Sequence, residues 1–253
     1  MALMAAHGEI SPMPDCAIFA DTQAEPAAVY EHLKWLMSPN VLPFPVHVVT
    51  YGNLREVLGK KRPTGKYRVM PIPVYIKLES GKQAGMLQRA CTRDYKINPL
   101  RKKVRELCGI TKRRSPDHAI VTQWIGISQD EAIRMKPSWE PWVQHRWPLI
   151  ELRMTRNDCL RWMEKHGYPR PPKSACTFCP FHDRNAWNAL TQSEMQDAIA
   201  VDELVRNVWA GQDKKAEFFL HGSCKPLADV DLSDPDKDQL DLFNNECEGM
   251  CGV

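Results

Sequence analysis

The chain has 253 residues, is 43% hydrophobic and 26% charged, and carries a formal net charge of +3. That length and balance suit a globular protein with a sizeable core. No apolar run approaches the roughly 18–20 residues of a membrane span, and no basic-then-apolar leader precedes a cleavage site, so the expected location is cytoplasmic. Nine cysteines, an odd number in a chain of this kind, argue against a disulfide framework and for metal binding or thiol chemistry.

In chain order, residues 1–7 read as the end of a helix closed by Gly8, with no strand before it, as though the N-terminus were cut short. Residues 16–20 fit a short buried strand that delivers Asp21 and Thr22 at its carboxyl end, where open α/β sheets bind ligands. Pro26 opens a helix to about Met37, with Val29, Leu33 and Leu36 on one face. A β-branched strand over 46–50 and a short helix over 53–58 follow. This alternation predicts a parallel α/β sheet. Residues 63–85, with Pro71, Pro73, Gly81 and Gly85, read as a long irregular loop fit for a lid or a binding segment. A helix over 99–108, a strand over 118–125 and a helix over 129–135 capped by Ser128 come next. Thr155 caps a further helix that Gly167 ends, and residues 185–209 are helical in pattern. The three predicted units are an α/β domain over 1–170, a cysteine turn with helical region over 171–222, and an acidic tail over 223–253.

Charge is unevenly distributed. Residues 60–114 hold a basic cluster, including Lys60, Arg62, Lys66, Arg68, Arg101, Lys103, Arg105, Lys112 and Arg113, while the tail from Asp229 is strongly acidic. The basic segment can track a phosphate backbone, or it can be a solvated face neutralised by the tail. Trp139, Trp142 and Trp147 read as packing residues rather than base-stacking surfaces.

The most specific chemical signal is Cys176-Thr177-Phe178-Cys179, after a Pro-rich approach and before a helix, with His182 close behind. A tight C-x-x-C turn aims both thiolates at one point, as zinc, an iron–sulfur cluster and a redox dithiol all require. Cys247 and Cys251 lie on a Gly-containing tail, where a thiol can reach an active site; Cys16, Cys108, Cys159 and Cys224 read as structural. Arg89, Arg93 and Lys96 can clamp a sulfate or phosphate.

Several of these segments together resemble a known family. Phe19-Ala20-Asp21-Thr22 with Glu25-Pro26 resembles the strand-end "DTG" segment of the PP-loop adenine-nucleotide α-hydrolase superfamily. Arg89-Ala90-Cys91-Thr92, then Tyr95-Lys96-Ile97 and Pro99, resembles the "CC…K-x-x-P" segment of phosphoadenosine phosphosulfate (PAPS) reductases. The Cys176/Cys179 turn stands where iron–sulfur members carry their second cysteine pair, and Glu246-Cys247 loosely resembles the "ECG" tail of PAPS reductases. The chain is similar over nearly its whole length to the PAPS-reductase-like proteins of bacteriophages, which would place it in a bacterial host cytoplasm. Two departures stand out: no Ser-Gly-Gly-x-Asp-Ser type phosphate loop is present, and the first cysteine pair is reduced to Cys91 beside Ala90.

The resemblance implies a three-layer, Rossmann-like parallel sheet with a cysteine-rich metal subsite and a C-terminal tail. It implies a [4Fe–4S] cluster on Cys91, Cys176 and Cys179, with one iron lacking a cysteine ligand; His182 as a fourth ligand would instead make Cys3His zinc. Asp21, Thr22, Arg89 and Lys96 would face an adenine nucleotide, ATP or PAPS, and Cys247 or Cys251 would carry sulfur. The implied activity is PAPS-reductase-like or sulfurtransferase chemistry. The alternatives are ATP-dependent thiolation or other modification of a nucleic-acid base bound by residues 60–114, and a non-catalytic binding protein that kept the scaffold.

Overall fold

The computed structural model describes residues 1–61, 69–111, 114–208 and 216–233. The chain is mixed α/β. Strand β1 (Ala17–Asp21) lies parallel to β2 (Val46–Thr50), in register from Ala17 opposite Val46 to Asp21 opposite Thr50. Helix α1 (Ala2–Ala6) precedes β1, and α2 (Ala27–Leu36) connects the two strands. The short α3 (Leu54–Val57) follows β2, its first amides capped by the Asn53 side chain, which accepts from Arg55 N and Glu56 N.

The proline- and glycine-rich stretch predicted as an irregular loop contains two strands. β3 (Tyr75–Leu78) and β4 (Gln83–Met86) pair antiparallel around Gly81, whose φ of 80° suits the reversal. β3 pairs on its other side with β7 (Ala216–Phe219), giving a three-stranded sheet that draws on distant parts of the chain. A second parallel pair joins β5 (Val121–Trp124) to β6 (Val143–Arg146), a strand that the sequence did not announce.

Helix α4 (Asn98–Leu107) matches the expected element, but a π-helical segment, Thr92–Ile97, runs straight into it. The predicted helix after Ser128 is a 3₁₀ segment (Gln129–Arg134) in which the Ser128 carbonyl, not its hydroxyl, takes the Glu131 amide. The short α5 (Pro148–Glu151) leads to α6 (Arg156–Lys165), whose Thr155 and Asp158 form the expected capping box and whose end turns at Gly167 with φ of 68°. The single helix predicted over 185–209 is two: α7 (Arg184–Asn188) and α8 (Gln192–Asn207), with a second capping box, Thr191 and Glu194, starting the latter. Glu194 also accepts from the Ala27 amide at 2.9 Å, tying α8 to the start of α2.

The main core gathers residues from Leu54 to Leu227 under α8, which contributes Ala198, Val201 and Val205 at helical spacing. Buried Asp202 on the same face accepts from Leu220 N at 2.9 Å, from Leu227 N at 3.1 Å and from Arg206 Nε at 3.0 Å. Two smaller cores sit on the parallel pairs. One joins Ile18 of β1 to Val121, Trp142 and Val143, and the other joins Ala17 and Trp124 to Met4, Ala5 and Leu149. None of the seven described cysteines is disulfide-bonded. Cys108 and Cys159 pack against the smaller cores and Cys224 is buried, and burial raises the pKa of each of these thiols. No described helix is long and apolar enough to cross a membrane.

Candidate metal and ligand site

β1 ends by delivering Thr22 into the interior. Thr22 is fully buried, and its hydroxyl lies 3.2 Å from the sulfur of Cys176. The backbone around it is held from two sides: the Thr22 carbonyl accepts from Leu54 N at 3.0 Å, and the Ala24 carbonyl accepts from Thr177 N at 2.8 Å. The strand end and the cysteine turn are thus joined by main-chain and side-chain bonds. Asp21 points elsewhere. Its Oδ1 accepts from Gln23 N at 2.7 Å and from the Tyr30 hydroxyl at 2.9 Å, so it stabilises the turn in which Gln23 adopts φ of 56°. Burial, then the Asp21 hydrogen bond, raises the Tyr30 pKa.

The cysteine turn is wound by its own backbone. Cys179 N donates to the Cys176 carbonyl at 2.9 Å, and His182 N donates to the Cys179 carbonyl at 3.0 Å. The His182 ring adds a third bond, from Nε2 to the Cys176 carbonyl at 2.9 Å, and sits edge-on to Trp187 with centroids 4.7 Å apart. A carbonyl only accepts, so Nε2 carries the proton and Nδ1 presents a lone pair; Nδ1 is buried and has no hydrogen-bond partner. Between the two cysteines Phe178 is fully buried and anchors the turn in the main core.

The π-helical segment supplies the third wall. Cys91 stands at its start, with its amide bonded to the Pro71 carbonyl at 2.8 Å, and Cys91 and Cys179 both pack against the core that contains Cys176. Insertions of this kind recur at functional sites. Arg89 donates from Nε to Thr92 Oγ1 at 2.7 Å and places its guanidinium over the Phe181 ring, 5.2 Å from the centroid. Lys96 Nζ lies 3.4 Å from Glu25 Oε1, and the other Glu25 oxygen accepts from Ser174 Oγ at 3.0 Å.

Thr22, Cys91, Lys96, Cys176, Cys179 and His182 therefore share one region, with Arg89 at its Phe181 side. Glu25 and Ser174 belong to it too, and sequence reasoning did not single them out as site residues. The available signal was an acidic residue set between Ala24 and Pro26 where strand passes to helix, with no basic neighbour in sequence to balance it. Cys247 and Cys251 lie outside the described residues.

The electrostatics favour neutral groups while no metal is bound. Burial, reinforced by Glu25, drives the Cys176 thiol pKa well above its ordinary value, and Lys96 and the Thr22 hydrogen bond pull the other way. Burial likewise lowers His182 to about 4.

The lowered His182 value has a consequence for stability. Below the unfolded-state value of about 6.5 the unfolded chain takes up a proton that the folded chain refuses until pH falls to about 4. His182 therefore contributes stability above about pH 6.5 that is lost on acidification, up to about 3 kcal/mol by pH 4. Urea unfolding of the metal-free protein at pH 7 and pH 4.5, compared with His182→Gln, is expected to show a smaller acid loss in the variant. Equal losses would show that the ring is not kept neutral.

Among the described residues of the basic segment, Arg101, Lys103 and Arg105 are engaged within the chain. Arg101 pairs with Glu140 and covers Trp139 with its guanidinium 4.9 Å from the ring centroid, Lys103 pairs with Glu106 at 2.7 Å, and Arg105 lies 5.8 Å from the centroid of buried Trp142. Trp139 is 68% exposed, unlike the packing residue expected from the sequence. Arg62, Lys66, Arg68, Lys112 and Arg113 lie outside the described residues.

Comparison with protein-family models, with curated proteins and with solved structures finds no match to this chain.

Proposed function

We propose that this chain carries out PAPS-reductase-like or sulfurtransferase chemistry on an adenine-nucleotide-linked substrate, with a [4Fe–4S] cluster on Cys91, Cys176 and Cys179 and a three-layer PP-loop-like scaffold around it. The observation that carries this reading is the bond between Thr22, at the carboxyl end of a parallel strand, and the Cys176 thiol. This reading is supported because the bond brings a cysteine thiol to the end of a strand, where α/β sheets receive ligands. The donor set fits the cluster better than it fits zinc. It is mainly thiol, the donor type that holds iron–sulfur clusters. When bound, the cluster would supply an iron open to a sulfur ligand.

The chain's own groups have separate tasks in this reading. Thr22 orients the Cys176 sulfur. Lys96, held by Glu25, offsets negative charge gathered on the thiolates. Arg89 and Lys96 offer cationic donors to the sulfate or phosphate of the substrate, and Asp21 shapes the strand-end turn that the nucleotide would meet. Sulfur carriage by Cys247 or Cys251 belongs to the same proposal. The internal pairing of Arg101 and Lys103 removes support from the alternative of a polymer-binding basic face.

The test is iron, acid-labile sulfide and zinc content of protein purified without oxygen. About four irons and four sulfides per chain are expected, with loss of both in Cys176→Ala. One zinc per chain and no iron, or no metal after anaerobic reconstitution, would overturn the proposal.

A further inference from the structure

Away from the cysteine turn, the C-terminal ends of α1 and α6 meet. His7 is the C-cap of α1, Glu9 follows shortly after, and His166 is the C-cap of α6. One donor atom from each lies within 4.8 Å of the other two. We propose that His7, Glu9 and His166 bind a divalent transition metal, zinc or a chemically similar ion, at a site independent of the sulfur chemistry above.

The donor set is the first argument. Two imidazoles and a carboxylate suit borderline ions such as zinc, leaving one position for water or an external ligand. His166 Nε2 stands 3.9 Å from Glu9 Oε1, close to the ~3.4 Å edge of a tetrahedron built on metal–ligand bonds of about 2.1 Å. A small side-chain movement closes that gap, and His7 and Glu9 are both exposed enough to make it.

The second argument is the surrounding support. His166 Nδ1 donates to the Trp162 carbonyl at 2.8 Å, which fixes the tautomer and turns the Nε2 lone pair toward Glu9. The Trp162 indole N–H is shared by the two Glu9 oxygens at 3.0 and 2.9 Å, so one residue orients two of the three ligands. The Trp162 ring stacks on His166 with centroids 4.0 Å apart and meets His7 edge-on at 5.3 Å. His7 Nε2 lies 2.7 Å from the Tyr168 hydroxyl; with Nδ1 on the ion, Nε2 would carry the proton and this hydroxyl would accept it. Histidine ligands are characteristically held in this way, by bonds from the second ring nitrogen. An ion here would fasten the segment after α1 to the far end of α6.

The experiment is a cobalt(II) titration of the full, untagged, anaerobic chain, followed by electronic absorption and by melting temperature. Cobalt on nitrogen and oxygen ligands gives visible d–d bands without the near-ultraviolet sulfur charge-transfer bands that thiolates add. The expected result is one equivalent with d–d bands lacking sulfur charge transfer. These should weaken at least about tenfold in affinity in both His166→Ala and Glu9→Gln. Zinc should raise the melting temperature of the native chain and leave that of His166→Ala unmoved. Glu9→Gln alters an exposed residue, so it reports on the site even if His166→Ala folds poorly. Cobalt bound only with sulfur charge transfer, or affinities unchanged in Glu9→Gln, would overturn the proposal.

Discussion

Glu25→Ala is expected to cost about 3–5 kcal/mol of folding stability, because it breaks a buried ion pair from one side only. The Glu25 side chain is wholly inaccessible and that of Lys96 is only 12% exposed, so the pair is shielded from water. Ser174 loses its acceptor as well. Removing both charges should hurt less than removing one. Glu25→Ala combined with Lys96→Met is expected to recover a good part of the loss, as replacement of buried pairs by apolar groups commonly does. Urea denaturation of the three variants measures this directly. A single mutant with a native midpoint would show that the pair is solvated and that Lys96 does not depend on Glu25. The result bears on function because the Lys96 charge acts on the Cys176 thiol, pulling its pKa down against burial.

Asp202→Ala is the second large effect, on the order of 3–5 kcal/mol, and it acts on the scaffold rather than the site. One carboxylate satisfies the amides of Leu220 and Leu227 and the guanidinium of Arg206, joining α8 to the chain leaving β7. Alanine strands two amides in a buried environment and leaves Arg206 without its partner there. At this chain length the melting temperature should fall by roughly 6–20 °C. Hydrogen exchange at Leu220 and Leu227 should accelerate more than at Val201 on the opposite side of the contact. A uniform, small acceleration would mean that water replaces the carboxylate without difficulty.

Local chemistry was legible wherever it decided structure by itself. Pro26 placed α2, the run Val46 to Thr50 placed β2, and Thr155 with Gly167 bracketed α6, because a cap, a ring constraint or β-branching acts within a few residues. The antiparallel strands were not legible. Gln83 and Gly85 are exposed and carry no alternating pattern, and β3 is completed by β7, whose partner lies well over a hundred residues away. β6 buries Val143 alone, too little for periodicity to register. At the site, the cysteine turn and the strand end were visible as motifs, but their junction is a tertiary bond between Thr22 and Cys176 that no local spacing encodes. Glu25 was hidden for the same reason, since its cation comes from Lys96 on a distant segment.

The π-helical segment that carries Cys91 also sets an angular phase. A π turn amounts to an α-helix that has accepted one surplus residue, and it continues here without a break into α4. In an α-helix each residue accounts for about 100° of rotation. Deleting one residue between Thr92 and Ile97 would therefore leave a good helix and a nearly intact core. It would also swing Arg89 and Cys91 by about a quarter turn around the axis, away from the Cys176 thiol and the strand end. The placement of Cys91 against the core that holds Cys176 thus rests on a single-residue insertion, a unit of change that a lineage could gain or lose in one step while keeping its fold.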